Sequence, residues 1–212
     1  MSRLPVSSYR QPAQAPASTS RRGDHPVALF ITHLFGPVNL AGAVVVVTAL
    51  HASGLAGLAW AALAATFVAG LPFVYLLRGV RRGRWTDIHV GVREQRPAVL
   101  RFGLGSVCTG LAILWLASGP RQLIALVLAM VVGLVALSAV TLVWKISFHT
   151  GVASGVLAVL ALQFGPPALL GTLVLIVIGW SRTRLGDHTL AQVCAGAVVG
   201  GALGACVYAL VA

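Results

Sequence analysis

The chain has 212 residues, 58% of them hydrophobic and only 9% charged, with a formal net charge of +11 and a mean hydropathy of +0.93. A soluble globular domain clothes itself in charged residues, about a quarter of its sequence, and this chain has too few to do so. Its apolar stretches reach the roughly 20 residues that a helix needs to cross a hydrocarbon core, and they do not alternate apolar with polar residues as the strands of a membrane barrel do. What remains is an all-α, polytopic transmembrane helical bundle, because in lipid every backbone polar group must be satisfied within its own segment. Its expected partners are membrane lipids, with no nucleic acid.

Residues 1–24 are rich in Pro, Ala, Ser, Gln and Arg and have no apolar period. They read as a disordered tail, with no cleaved signal peptide expected. Residues 25–212 read as one transmembrane domain. The first span is expected over 26–50 and the second over 55–77, joined by a turn at His51-Ala52-Ser53-Gly54. A polar segment follows over 78–101, holding seven arginines, two of the four acids and His89. A third span over 102–117 is broken by Ser118-Gly119-Pro120, and a fourth runs over 123–144. The polar string 145–150 ends it. A fifth, short span closes at Gly165-Pro166-Pro167, a sixth runs to Trp180, a charged knot occupies 181–188, and a last helix covers 189–212. The total is six to seven spans. Gly196, Gly200 and Gly204 recur every four residues in the last helix, a ridge suited to close helix packing within the fold. Cys108, Cys194 and Cys206 sit inside apolar runs and read as small packing residues, not as a disulfide or metal framework. His25, His33 and His51 are assigned no role, and Trp144 and Trp180 read as interface anchors.

Two spans separate the first polar segment from the second, and two more separate the second from the third, so all three lie on one membrane face. Ionisable residues at such places default to function because the membrane makes them costly. The inventory is Arg96, Lys145, Ser147, His149, Arg182, Arg184, Asp187, His188 and Gln192. It has no carboxylate cluster for Mg²⁺ or Ca²⁺ and no His/Cys spacing for Zn²⁺, so no metal and no cofactor is expected. Fixed cations beside histidines suit a phosphate: arginine forks match its oxygens, one histidine attacks phosphorus and another protonates the leaving group.

Ser181-Arg182, five residues, His188, three residues, Gln192 resembles the third signature of the type 2 phosphatidic acid phosphatase (PAP2) superfamily, Ser-Arg-x5-His-x3-Asp. Ile146-Ser147-Phe148-His149 resembles the second, Pro-Ser-Gly-His, keeping the Ser and the His. His89, six residues, Arg96-Pro97 resembles the first, Lys-x6-Arg-Pro, with His for Lys. The three stand in the family's order, and the resemblance covers about residues 80–205. It implies a PAP2-like core, with His188 as nucleophile forming a phosphohistidine, His149 as general acid, and Arg182, Arg96 and Ser147 on the phosphoryl oxygens, without metal. Gln192 takes the place of the aspartate that orients the nucleophile. Its carbonyl can accept the Nδ1–H bond but carries no charge for an imidazolium. A Gln there, in a His-Thr-x-x-Gln string, also resembles the dolichyl-diphosphatase branch. With His89 in place of the lysine, one phosphate contact becomes pH-sensitive, and Arg93 or Lys145 can compensate.

The expected activity is therefore hydrolysis of a lipid phosphate or diphosphate, polyprenyl before others. Two alternatives stand beside it: a transferase using the same site, and a non-catalytic member that binds anionic lipid. Fourteen of the 15 Lys and Arg residues fall on the face of the polar knots, with only Arg121 opposite. Setting the candidate site cations aside leaves nine against one. By the positive-inside rule the N-terminus and the site face the cytoplasm of a plasma-membrane protein, and the C-terminus faces outward.

Overall fold

The computed structural model describes residues 25–86 and 95–212, the side chain of Arg96 excepted. The expected tail at 1–24 and the candidate residues His89 and Arg93 lie outside the described residues. The described chain is helical, with no strand. Its α-helices are α1 (Pro26–Leu34), α2 (Pro37–Ser53), α3 (Gly57–Ala65), α4 (Leu71–Arg81), α5 (Arg96–Leu116), α6 (Arg121–Val143), α7 (Phe148–Phe164), α8 (Thr172–Arg184) and α9 (Leu190–Val211). Among the described residues five stretches are long and apolar enough to cross a membrane: Pro37–Arg81, Pro97–Leu116, Arg121–Val143, Pro166–Arg184 and Leu190–Val211. Phe148–Phe164 is apolar but shorter, at 17 residues. Large apolar side chains such as Leu116, Val143 and Leu210 point outward, the surface that lipid rather than water solvates. This is an integral membrane protein.

The expected first span is two helices. Pro37 has no N–H to continue a helix and disfavours helical geometry in the residue before it, and Gly36 is extended (φ −61, ψ 150). Asn39 Nδ2 donates to the carbonyls of His33 (2.9 Å) and Leu34 (3.1 Å), which satisfies the end of α1. At nine residues α1 is about 14 Å long, too short to cross, and it packs on α8.

The 45-residue stretch Pro37–Arg81 folds back on itself. Gly54 has φ 55 at the turn, and α2 then packs along α3 so closely that a Cβ on Gly57 would strike the Ala49 carbonyl. The returning limb passes through a π-helical turn, Thr66–Gly70, just before Pro72. Proline cannot donate to the carbonyl four residues back and clashes with it, and the widened turn absorbs that misfit. Ser106 on α5 donates to the Phe67 carbonyl inside this turn at 2.6 Å.

Helices α7 and α9 form the most intimate pair. Gly196, Gly200 and Gly204 are buried against the backbone of α7 at Ser147, Gly151 and Gly155. A Cβ on Gly200 would overlap the Gly151 carbonyl, and one on Gly204 would stand 2.8 Å from the Gly155 Cα. The glycine ridge packs within the fold. The cysteines do not pack in the interior: all three are exposed on the helix surfaces.

The core is off-centre. Its buried cluster joins Val45 and Ala49 of α2, Ala61 and Ala64 of α3, Leu114 of α5, Leu123, Leu126 and Val127 of α6, Val159 of α7 and Tyr208 of α9. These positions lie toward the ends of the helices remote from the polar segments. The other half of the bundle encloses a cavity.

Candidate functional site

Helix α8 runs one turn beyond the expected end at Trp180, to Arg184, so Arg182 projects from a helix rather than a loop. Gly186, with φ 68, then reverses the chain, a left-handed position that glycine takes without steric cost. The reversal lets the Asp187 and His188 N–H groups both donate to the Arg182 carbonyl, at 3.1 and 3.2 Å. Asp187 Oδ2 pairs with Arg182 Nη2 at 2.9 Å. Arg182 is 5% exposed, and its Nη1 donates to Thr32 Oγ1 of α1 at 3.4 Å.

His188 lies two residues before α9, outside the helix, with Thr189 as N-cap. It still meets Gln192, because Gln192 turns back in a capping box. Thr189 Oγ1 accepts from the Gln192 N–H at 3.3 Å, and Gln192 Oε1 accepts from the Thr189 N–H at 3.2 Å. That second bond determines the amide's orientation, since only its oxygen can face an N–H donor. His188 Nδ1 stands 3.2 Å from the same Oε1, so Nδ1 carries the proton and Nε2 carries the lone pair. The imidazole pKa is lowered from 6.5 to about 4, first by burial, then by the positive charges of Arg182 and Lys145, against smaller raising effects of Gln192 and Asp187. At neutral pH His188 is an uncharged base with Nε2 available.

His149 stands in the first turn of α7, 7% exposed. The close α7–α9 seam brings it beside the α8–α9 connection: Thr150 Oγ1 donates to the Val193 carbonyl at 2.9 Å, and the Ser147 N–H to the Gln192 carbonyl at 3.3 Å. Ser147 is fully buried, and its hydroxyl caps α7 by accepting from the Thr150 N–H at 3.4 Å. Lys145 is exposed, close enough to act on the charge of His188. Arg96 begins α5.

His149, Arg182 and His188 line one cavity of about 400 Å³. Its remaining wall is almost wholly apolar, drawn from α2, α4, α5, α6, α7 and α9, and it descends to Val107, Leu126 and Val159 of the packed core. His149 thus converges with Arg182 and His188, more than 30 residues further along the chain, at the polar end of an apolar hollow. Sequence reasoning missed two contributors on α1. Thr32 bonds Arg182, and His33, expected to have no role, lines the cavity. The signal for α1 was the Gly36-Pro37 break, which separates it from the span it was joined to. Among the described residues no three His, Cys, Asp or Glu side chains gather in a group able to hold a metal. The chemistry these residues offer is that of a neutral imidazole, a second histidine and a fixed guanidinium: attack on, and retention of, a tetrahedral anion.

Comparison with protein-family models, curated proteins and solved structures gives no match.

Proposed function

We propose that the chain is a membrane phosphatase that hydrolyses a lipid phosphate or diphosphate, polyprenyl by preference, through a phosphohistidine on a PAP2-like core. The observation that carries this reading is the meeting of His149, Arg182 and His188 at the polar end of an apolar cavity. The phosphate would lie against Arg182, with the hydrocarbon chain in the hollow behind it. His188 Nε2 attacks phosphorus, the bond from phosphorus to the lipid-side oxygen breaks, and His149 gives that oxygen a proton. Water then attacks the phosphorus of the phosphohistidine, breaking its bond to nitrogen, returns a proton to His149 and releases inorganic phosphate. Positive charge grows on the His188 imidazole during attack. Gln192 offers it only a carbonyl dipole, so the negative charge of the bound phosphate supplies most of the compensation. Arg96 and His89 are assigned to the same anion by resemblance, Arg93 as a cation that can compensate for His89, and Lys145 by its field.

Purified protein should release phosphate from a lipid phosphate in mixed micelles. His188→Ala should lower that rate by on the order of a thousandfold or more while the protein melts as before. Turnover near that of the unsubstituted protein would remove the mechanism, and failure of the unsubstituted protein to release phosphate would leave a lipid-binding member or a transferase.

The proposal includes seven crossings, counting both limbs of Pro37–Arg81 and the short Phe148–Phe164, with the N-terminus and the site in the cytoplasm and the C-terminus outside. The charge excess supports it, and α1, too short to cross, leaves the parity of the polar segments unchanged. Single cysteines at Gly83 and after Ala212, in a cysteine-free chain, should be respectively protected from and labelled by an impermeant thiol reagent in intact cells. The reverse pattern places the site outside.

A further inference from the structure

Helix α1 is too short to cross and packs on α8, yet it buries one polar side chain almost completely. Thr32 is 2% exposed. Its Oγ1 lies 3.1 Å from Ser181 Oγ and 3.4 Å from Arg182 Nη1. The proton order along this chain follows from its last member. Ser181 Oγ–H donates to the Ile178 carbonyl at 2.7 Å, so Thr32 Oγ1–H donates to Ser181 Oγ. The lone pairs of Thr32 then face the Arg182 N–H. The guanidinium is gripped at both terminal nitrogens, by Thr32 on Nη1 and by Asp187 on Nη2. A hydroxyl suits the Nη1 position because it accepts without adding a second negative charge that would repel a bound anion.

We infer that Thr32 is a positioning residue: it holds the Arg182 guanidinium in the orientation that receives an anionic phosphate, which makes α1 a working part of the site. This rests on the proposed reading only in naming a phosphate as the anion. A long flexible arginine has many rotamers, and bonds at two of its nitrogens select one of them. In a site walled by apolar side chains, a misdirected guanidinium would lose the anion and gain no solvent in return.

The test uses the full chain in detergent, with inorganic phosphate as probe, by calorimetric titration. Thr32→Val keeps the shape and removes the hydroxyl, while Thr32→Ser keeps the hydroxyl and removes a methyl. Thr32→Val should bind phosphate about tenfold more weakly, the scale of one hydrogen bond to a charged group, and Thr32→Ser should bind it within about twofold of the unsubstituted protein. Turnover of a lipid phosphate should fall by a similar factor in Thr32→Val and be rescued in Thr32→Ser. Equal binding by Thr32→Val, or equal weakening in both variants, overturns the inference, the latter because packing of α1 and not the hydroxyl would be responsible. An unsubstituted protein that binds no phosphate overturns it too. If the Val/Ser contrast appears in binding but no lipid phosphate is hydrolysed, Thr32 stands and the phosphatase reading falls. If lipid phosphate is hydrolysed and the contrast is absent, the phosphatase reading stands and the role of Thr32 falls.

Discussion

Two groups of glycines in the bundle serve opposite ends. Along the α7–α9 seam, glycine is missing a side chain because a neighbouring backbone occupies the space: a Cβ at Gly196, Gly200 or Gly204 meets α7 at once. Gly103 of α5 and Gly133 of α6 line the cavity, as Gly200 and Gly204 do on their other side, but there a Cβ would meet nothing within 4 Å. The first group brings two helices together and thereby carries His149 to the α8–α9 connection. The second leaves room. Glycine in a helix costs up to about 1 kcal/mol relative to alanine. The seam recovers that cost in close packing, whereas Gly103 and Gly133 recover none of it in contacts, and what they provide is open volume.

One substitution made in both places separates these uses. Gly200→Leu should damage the fold, with a cost of about 3 kcal/mol or more because its side chain must displace backbone. Thermal unfolding in detergent should show the loss, and an unaltered melting temperature would mean that the seam is looser than described. Gly133→Leu should leave folding nearly unchanged, since the side chain enters the hollow. It should lower turnover of long-chain lipid phosphates by roughly tenfold to a hundredfold, the range expected when an occupied apolar site is overfilled, and spare short-chain ones. Equal loss on both substrates would show that the chain lies elsewhere.

The smallest effect concerns the polar end. The pKa of His188 is depressed to about 4, so the ring remains neutral through the physiological range and protonates only as the pH falls toward that value. Titration of its ring by NMR in the unliganded protein should place the midpoint well below the ordinary imidazole value of 6.5. Gln192→Glu keeps the length that the capping box requires and adds a negative charge, which favours the imidazolium. The midpoint should therefore rise, by about one pH unit or more. A midpoint that stays in place would show that Gln192 does not contact the ring in solution. Asp at the same position is one methylene shorter and should cap α9 less well.

The membrane character, the approximate placing of the apolar helices and the identity of the glycine ridge were legible in the sequence, because each depends on local composition and spacing. Lipid demands long apolar helices wherever they pack, and a four-residue glycine period marks a face before its partner is known. The motif spacings also singled out His149, Arg182 and His188, the three residues that the tertiary structure brings to one cavity. Gln192 was legible as a candidate acceptor for His188, but spacing alone does not say how it reaches the ring. The capping box that turns its oxygen toward His188 depends on where α9 begins. The division of the expected first span was signalled locally by Gly36-Pro37, whereas the outward placing of the cysteines, the polar chain from Thr32 to Arg182 and the cavity itself were decided only by the tertiary structure. These are relations between segments up to 150 residues apart, and a periodicity records which face of a helix is apolar, not what stands opposite it or whether anything stands there at all.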